Sequence, residues 1–384
     1  MTVSTARAEP VAADVGGAPP RVPGRAGLGV VSLGQGGDGI AYVARLLQRA
    51  CGDLCGVPPR VVELAPASPG GVTVGERTRF LARLLSDAAL ERADWWIFNH
   101  VGIAQAQGWV PGFLRRPYAV FLNGIEAWDP GLTPARRAVI RDATVRVAIS
   151  RYTARRVAGL FPDVGPIVPC LLGLLPEAAS AAGEPDAGLL EQVGPRSVAI
   201  VGRMSASERY KGHDQLIECW PAVLERVPDA QLVVAGRGDD LERLRRKAED
   251  AGVGDRVLFA GFVSDATLHA LLRRAGAFAM PSRGEGFGLV YLQAMQAGLP
   301  CVGSVADAAG DVIVDGETGF LVDPDDAAGL ASSIARLLED GELRGRLGEA
   351  GRRRFEQEFT YERYRDRLGR VLVDAFGTTG RRGR

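Results

Sequence analysis

Short apolar runs separated by longer amphipathic ones recur along this chain, in two series. The first contains GLGVVSL, followed by IAYVARLLQRA, then RVVELA, DWWIFNH, PYAVFLN and VRVAIS, reaching residue 149. A stretch without periodicity follows, roughly Pro162–Pro195. The second series restarts with SVAIVG and continues through QLVVAG, RVLFAG, GAFAMPS, PCVGS and TGFLV. Alternation of this kind signals βαβ units and parallel sheets. The expected fold is α/β, with two Rossmann-like doubly wound domains over 25–190 and 191–360, which suits a chain of 384 residues. Two such domains facing one another make a cleft at the carboxyl ends of both sheets. A final helix over 361–376 is long enough to cross back onto the first domain. Residues 1–24, rich in Ala, Gly, Pro and Val, read as a disordered leader, and 377–384 as a disordered tail.

Composition narrows the function classes. The formal net charge is zero, so no general affinity for nucleic acid is expected. Five scattered cysteines, an odd number, argue against a disulfide framework and for a reducing, cytoplasmic compartment. The longest apolar run, Val164–Pro176, contains three prolines and is too short to span a bilayer.

The segment Pro281–Ser304, PSRGEGFGLVYLQAMQAGLPCVGS, carries the most chemistry. It reads as a strand end, a glycine-spaced acidic turn, a helix, a Gly-Leu-Pro stop and a short apolar strand. Gly284, Gly286 and Gly288 surround Glu285 and let backbone approach a ligand. The helix start behind them turns its free N–H groups the same way. A carboxylate beside an anion-ready helix start suits a ligand with both hydroxyls and phosphates, as in a nucleotide sugar.

Of 46 basic residues only Lys211 and Lys247 are lysines. Lys247 lies in an exposed-looking helix, LERLRRKAED, whereas Lys211 lies in GRMSASERYKGHD, a strand-to-helix connection. A compact ammonium there suits a phosphate contact, although a leftover surface lysine is the plainer alternative. In the first half, Gly34-Gln-Gly36-Gly37-Asp38-Gly39 satisfies G-x-G-x-x-G, and Glu63 closes the next strand. That is the dinucleotide fingerprint on paper, which makes a nicotinamide-dependent oxidoreductase a rival. A chain with 50 glycines meets the pattern cheaply, and the spacing to Glu63 is loose. A tight turn without a ligand, or a glycine loop lining an interdomain cleft, are the other readings.

The second half resembles the retaining GT-B glycosyltransferases of the "group 1" family, family four in the sequence-based classification. The matching segments are VGRM…YKGHDQLIECWP, LVVAGRGDDLERL, VLFAGFVSDATLHALLRRAGAFAMPS, GEGFGLVYLQAMQAGLPCVGS and DGETGFLVDPDDAAGLASSI. The first half matches in outline only, through the Gly36-Gly37 loop, His100, Asn123-Gly124-Ile125-Glu126 and AISRYTARRV. The resemblance implies that Arg203 and Lys211 form the cationic pair on a donor diphosphate, neutralising charge on the leaving nucleotide. It implies that Glu285 accepts from donor-sugar hydroxyls. The backbone around Gly286, Phe287, Gly288 and Leu289 would hold sugar and phosphate oxygens, and Val263 would pack the nucleotide base. It further implies retention of anomeric configuration, and no cofactor beyond the nucleotide-sugar co-substrate.

Two positions depart from the family pattern. The second acid of its Glu-x7-Glu motif falls on Gln293, about two helical turns or on the order of 12 Å beyond Glu285. A glutamine accepts through one oxygen only, so weaker or reshaped ribose binding is expected. Asn123 stands where many relatives carry histidine, at the position facing the reacting sugar. These departures leave open a degenerate homologue that binds nucleotide sugar without turnover. His100, ending DWWIFNH, is either a sugar or acceptor contact or a capped strand end. No metal site is expected, because Asp323-Pro-Asp325 precedes a helical run, where Asp325 or Asp326 reads as an N-cap. The arginine-rich stretch Arg136–Arg156 reads either as a seat on an anionic membrane carrying a lipid-linked acceptor or as a solvated face. The acceptor, a glycan, glycolipid or natural product, and the oligomeric state are not encoded in any motif.

Overall fold

The computed structural model describes residues 20–34, 39–64, 72–176 and 183–377. Gly36 and Gly37, most of the expected leader and nearly all of the expected tail lie outside them. Two six-stranded parallel sheets dominate. The first comprises β1 Ala26–Val30, β2 Arg60–Glu63, β3 Trp95–Phe98, β4 Tyr118–Leu122, β5 Val145–Ala148 and β6 Ile167–Pro169, in the order β2-β1-β3-β4-β5-β6. The second comprises β7 Ser197–Val201, β8 Gln231–Ala235, β9 Val257–Gly261, β10 Ala277–Ala279, β11 Cys301–Ser304 and β12 Gly319–Val322, in the order β12-β11-β10-β7-β8-β9.

Both sheets are the α/β architecture that the sequence pattern implies. Strands such as Trp95–Phe98 and Tyr118–Leu122 are buried at every position, which is why they read as unbroken apolar runs. Each strand order reverses once: between β1 and β3 in the first sheet, and between β7 and β10 in the second. Crevices open at such reversals, outside the carboxyl ends of the strands. The segments after β1, β3, β7 and β10 therefore border the positions where a ligand fits.

Two details differ from the sequence pattern. Strand β6 lies inside the stretch without periodicity, since three residues ending in a proline leave no alternation to read. The end of the expected leader is part of the first unit: Val22 is buried and its N–H donates to Leu54 O at 3.1 Å. At the junction between sheets, Asp186 N donates to Thr267 Oγ1 at 3.0 Å, so the chain contacts the second unit before the helix Ala187–Glu191 begins. The final helix Tyr361–Phe376 packs on the first unit, where Phe376 stacks on Trp95 with centroids 4.8 Å apart and Tyr361 Oη donates to Asp53 at 2.5 Å.

Candidate active site

Behind β7 the chain passes Arg203 and enters a 3-10 turn, Ala206–Lys211, before the helix His213–Arg226. The turn brings three charges together. Glu208 bridges the cations, one oxygen pairing with Arg203 Nη2 and the other lying 3.4 Å from Lys211 Nζ. Arg203 is mostly exposed, whereas Lys211 and Glu208 are mostly covered. His213 starts the helix behind Lys211. Burial, with the Lys211 charge added, pushes its imidazole down to about 4, so it is neutral near pH 7.

Behind β10 lies the acidic turn. Gly288 has φ +85°, a left-handed conformation that suits glycine, and it caps the helix Leu289–Gln296. Phe287 is buried and meets Phe359 edge-on at 6.2 Å, anchoring the turn from below. Glu285 is half-buried, and Gln293 is half-buried farther along the helix. Across the switch point, then, a cationic pair follows one strand and a carboxylate turn follows its neighbour.

The first unit closes over this turn. A Cβ on Gly286 would lie 2.0 Å from the carbonyl oxygen of Asn123, so only glycine permits the contact. Thr153 Oγ1 donates to Gly286 O at 3.3 Å. Tyr152 N donates to Asp311 Oδ2 at 2.8 Å, and Tyr152 Oη to Ala306 O at 2.9 Å. Asn123 is itself fixed: its Nδ2 donates to Asn99 O at 2.7 Å, and its N–H to Glu126 Oε1 at 2.7 Å. Asn123 Oδ1 is buried without a hydrogen-bond partner among the described residues, an acceptor facing an unmet demand.

Residues 187–354 match the family described as "Glycosyl transferases group 1". The second unit is a group 1 glycosyltransferase domain. Over 235 residues the chain is 35% identical to the GDP-mannose-dependent alpha-(1-6)-phosphatidylinositol monomannoside mannosyltransferase of Mycolicibacterium smegmatis, covering 58% of this chain and 60% of that one. Over 300 residues it is 28% identical to the glycogen synthase of Mycobacterium tuberculosis, covering 73% of this chain and 67% of that one. The chain thus spans about three fifths of the length of the first relative. Among solved structures, sucrose-phosphate synthase from Thermosynechococcus elongatus superimposes with TM-score 0.74 at 19% identity, over 92% of this chain and 99% of that one. Anabaena HepE in complex with UDP and glucose gives 0.68 at 19%, over 91% and 100%. Both units together have the GT-B fold.

The group 1 domain contributes Arg203, Lys211, Glu285, Gly286, Phe287, Gly288, Leu289 and Gln293 to the β7/β10 switch point. Val263, half-buried after β9, packs on the domain core rather than standing free. Beside it Phe262 is 64% exposed, with the Arg237 guanidinium 4.3 Å from its ring centroid. From the first unit, Asn123 reaches the turn directly. His100 caps the helix Val101–Ala104, its Nδ1 accepting from Gly102 N at 2.9 Å. Glu63, the acid a nicotinamide site would need for its ribose, instead accepts from Leu33 N at 2.8 Å. Among the described residues no cluster of three or more His, Cys, Asp or Glu side chains is arranged for a metal. Asp325 pairs with Arg283, and Asp326 caps the helix Ala327–Glu339.

Two charged residues at this junction carry no signal in the sequence: Glu208 and Asp311. Glu208 was hidden because its role depends on the 3-10 turn that folds it back between two cations. Asp311 was hidden because its partner is 159 residues away. In the arginine-rich stretch, Arg137 pairs with Asp163 at 2.6 Å and Arg146 donates to Ile140 O at 2.8 Å. Among the described residues no helix is long and apolar enough to cross a membrane.

Proposed function

We propose that this chain transfers a sugar from a nucleotide donor to a carbohydrate, lipid-linked or small-molecule acceptor, with retention of configuration and without a metal cofactor. The observation that carries the reading is the meeting of Arg203 and Lys211 on the single carboxylate of Glu208, directly across the switch point from Glu285. Two cations held around one carboxylate can also take up the charges of a diphosphate. Relatives named for GDP-mannose and a structural neighbour holding UDP and glucose support this donor class.

In this reading the bond between sugar C1 and the diphosphate oxygen breaks as Arg203 and Lys211 take up the developing charge. Glu285 and the amides of Phe287, Gly288 and Leu289 hold the sugar. The acceptor oxygen forms the new bond to C1 on the same face, and its proton passes to the departing phosphate oxygen. Asn123, whose backbone abuts Gly286, would contact the sugar or acceptor in this reading. A lipid-linked acceptor would bring the Arg136–Arg156 face toward an anionic membrane on the cytoplasmic side.

The test is nucleoside diphosphate release from GDP-mannose and UDP-glucose, read alongside thermal stabilisation by each, with a chelator present. Stabilisation with release supports the transferase. Gln293 favours one second reading, a binding protein without turnover, which predicts stabilisation without release on any acceptor. No stabilisation by any nucleotide sugar contradicts both.

A further inference from the structure

Beneath the acidic turn lies a polar cluster that the donor-site reading leaves without a role. Asp307 follows β11 and is 4% exposed, and Ser282 is fully buried. Ser282 Oγ donates to Asp307 Oδ2, and Glu285 N donates to the same oxygen at 3.3 Å. Ala309 N donates to Oδ1 at 2.9 Å. In return, Ala308 N donates to Glu285 O at 3.2 Å. The segment after β11 therefore holds the Glu285 backbone at both its N–H and its C=O.

A carboxylate is an expensive way to pack a loop, since burial penalises its charged form. Burial lifts Asp307 to about 7, the Ser282 and Ala309 bonds pull against that rise, and the nearby Glu285 charge adds to it. Two titratable groups face it: Glu285 on the turn, and Tyr291 on the helix Leu289–Gln296. Tyr291 Oη donates to Met280 O at 2.6 Å, and burial pushes its ionisation far up, so it stays neutral.

We propose that Asp307 is a positioning residue for Glu285, its ionised carboxylate fixing the turn's backbone and turning the Glu285 side chain outward, by like-charge repulsion, toward the donor sugar. This rests on the donor-site reading. Protonation of Asp307 would occupy one of the oxygens that accept from Ser282, Glu285 and Ala309, and would cancel the repulsion. The group is ionised above its midpoint, so the grip on the sugar strengthens as pH rises through about 7.

Calorimetric titration of wild type, Asp307→Asn and Ser282→Ala with GDP-mannose and UDP-glucose tests this between about pH 6 and about pH 8, on either side of that midpoint. GDP and UDP are titrated at the upper pH as a measure of the nucleotide half alone. In wild type, affinity for the nucleotide sugar should rise several-fold with pH, and in Asp307→Asn it should be flat. The variant's ratio of nucleotide-sugar to nucleoside-diphosphate affinity should fall about tenfold, the value of one hydrogen bond to a charged group. Ser282→Ala should keep the rise with its midpoint moved upward, and this arm decides the matter if Asp307→Asn does not fold. An unchanged ratio and an unchanged rise in Asp307→Asn, or an unmoved midpoint in Ser282→Ala, overturn the assignment. Wild type that binds neither class of nucleotide removes the donor reading itself, and the proposal with it.

Discussion

Lys211 and Arg203 meet in this structure on the carboxylate of Glu208. If Glu208 stands in the place of the donor's charge, it competes with the donor. Glu208→Gln should then tighten GDP or UDP binding by up to about fivefold, because a partly exposed ion pair is worth about 1 kcal/mol. Lys211→Ala should weaken it about tenfold or more, the loss of one charge-assisted contact. Both are read by calorimetry, and weaker binding in Glu208→Gln would make Glu208 an organiser of the pair instead. As candidates, Lys211 stands out in the sequence because lysine is so rare here, and Glu285 because glycines bracket it. Glu208 and Asp307 do not, since an acid's partners depend on how a turn or a loop folds back. His100, conspicuous by its rarity, caps the helix Val101–Ala104, a position that spacing alone does not separate from a sugar contact.

At the scale of elements, the strands announced themselves through apolar runs, and their order did the rest. The reversal between β7 and β10 places Arg203, Lys211 and the acidic turn at a crevice, which no local pattern reveals. What the sequence could not convey was how closely the acidic turn meets the first unit. Gly286 abuts Asn123 O, where an added Cβ would lie at 2.0 Å. Gly286→Ala must push the turn and the Asn123 loop apart. The expected cost is about 1–3 kcal/mol of stability, typical of overpacking, together with a loss of donor affinity. Thermal unfolding and nucleotide-sugar titration of the variant check this, and wild-type behaviour in both would show that the contact is not held in solution.

The whole molecule is two sheets linked by one continuous apolar cluster, from Leu28 and Phe121 through Phe359 and Tyr364 to Phe287 and Phe278, with a few specific polar contacts beside it. Asp311 reaches across to the N–H of Tyr152, and the final helix returns to stack Phe376 on Trp95. Asp311→Ala leaves the Tyr152 N–H without its acceptor and should let the units separate. Small-angle scattering should then give a larger radius of gyration than wild type, and an identical curve would show that Asp311 does not govern closure. These long-range pairings were the least legible part of the chain, because nothing near residue 311 points to residue 152.

The location of a bound nucleoside diphosphate in a crystal of this protein tests the central claim most directly. The account predicts its phosphates against Arg203 and Lys211 behind β7, with Glu208 displaced from at least one of them. Phosphates bound instead at the glycine loop behind β1, with the Arg203–Glu208–Lys211 bridge intact, would contradict it.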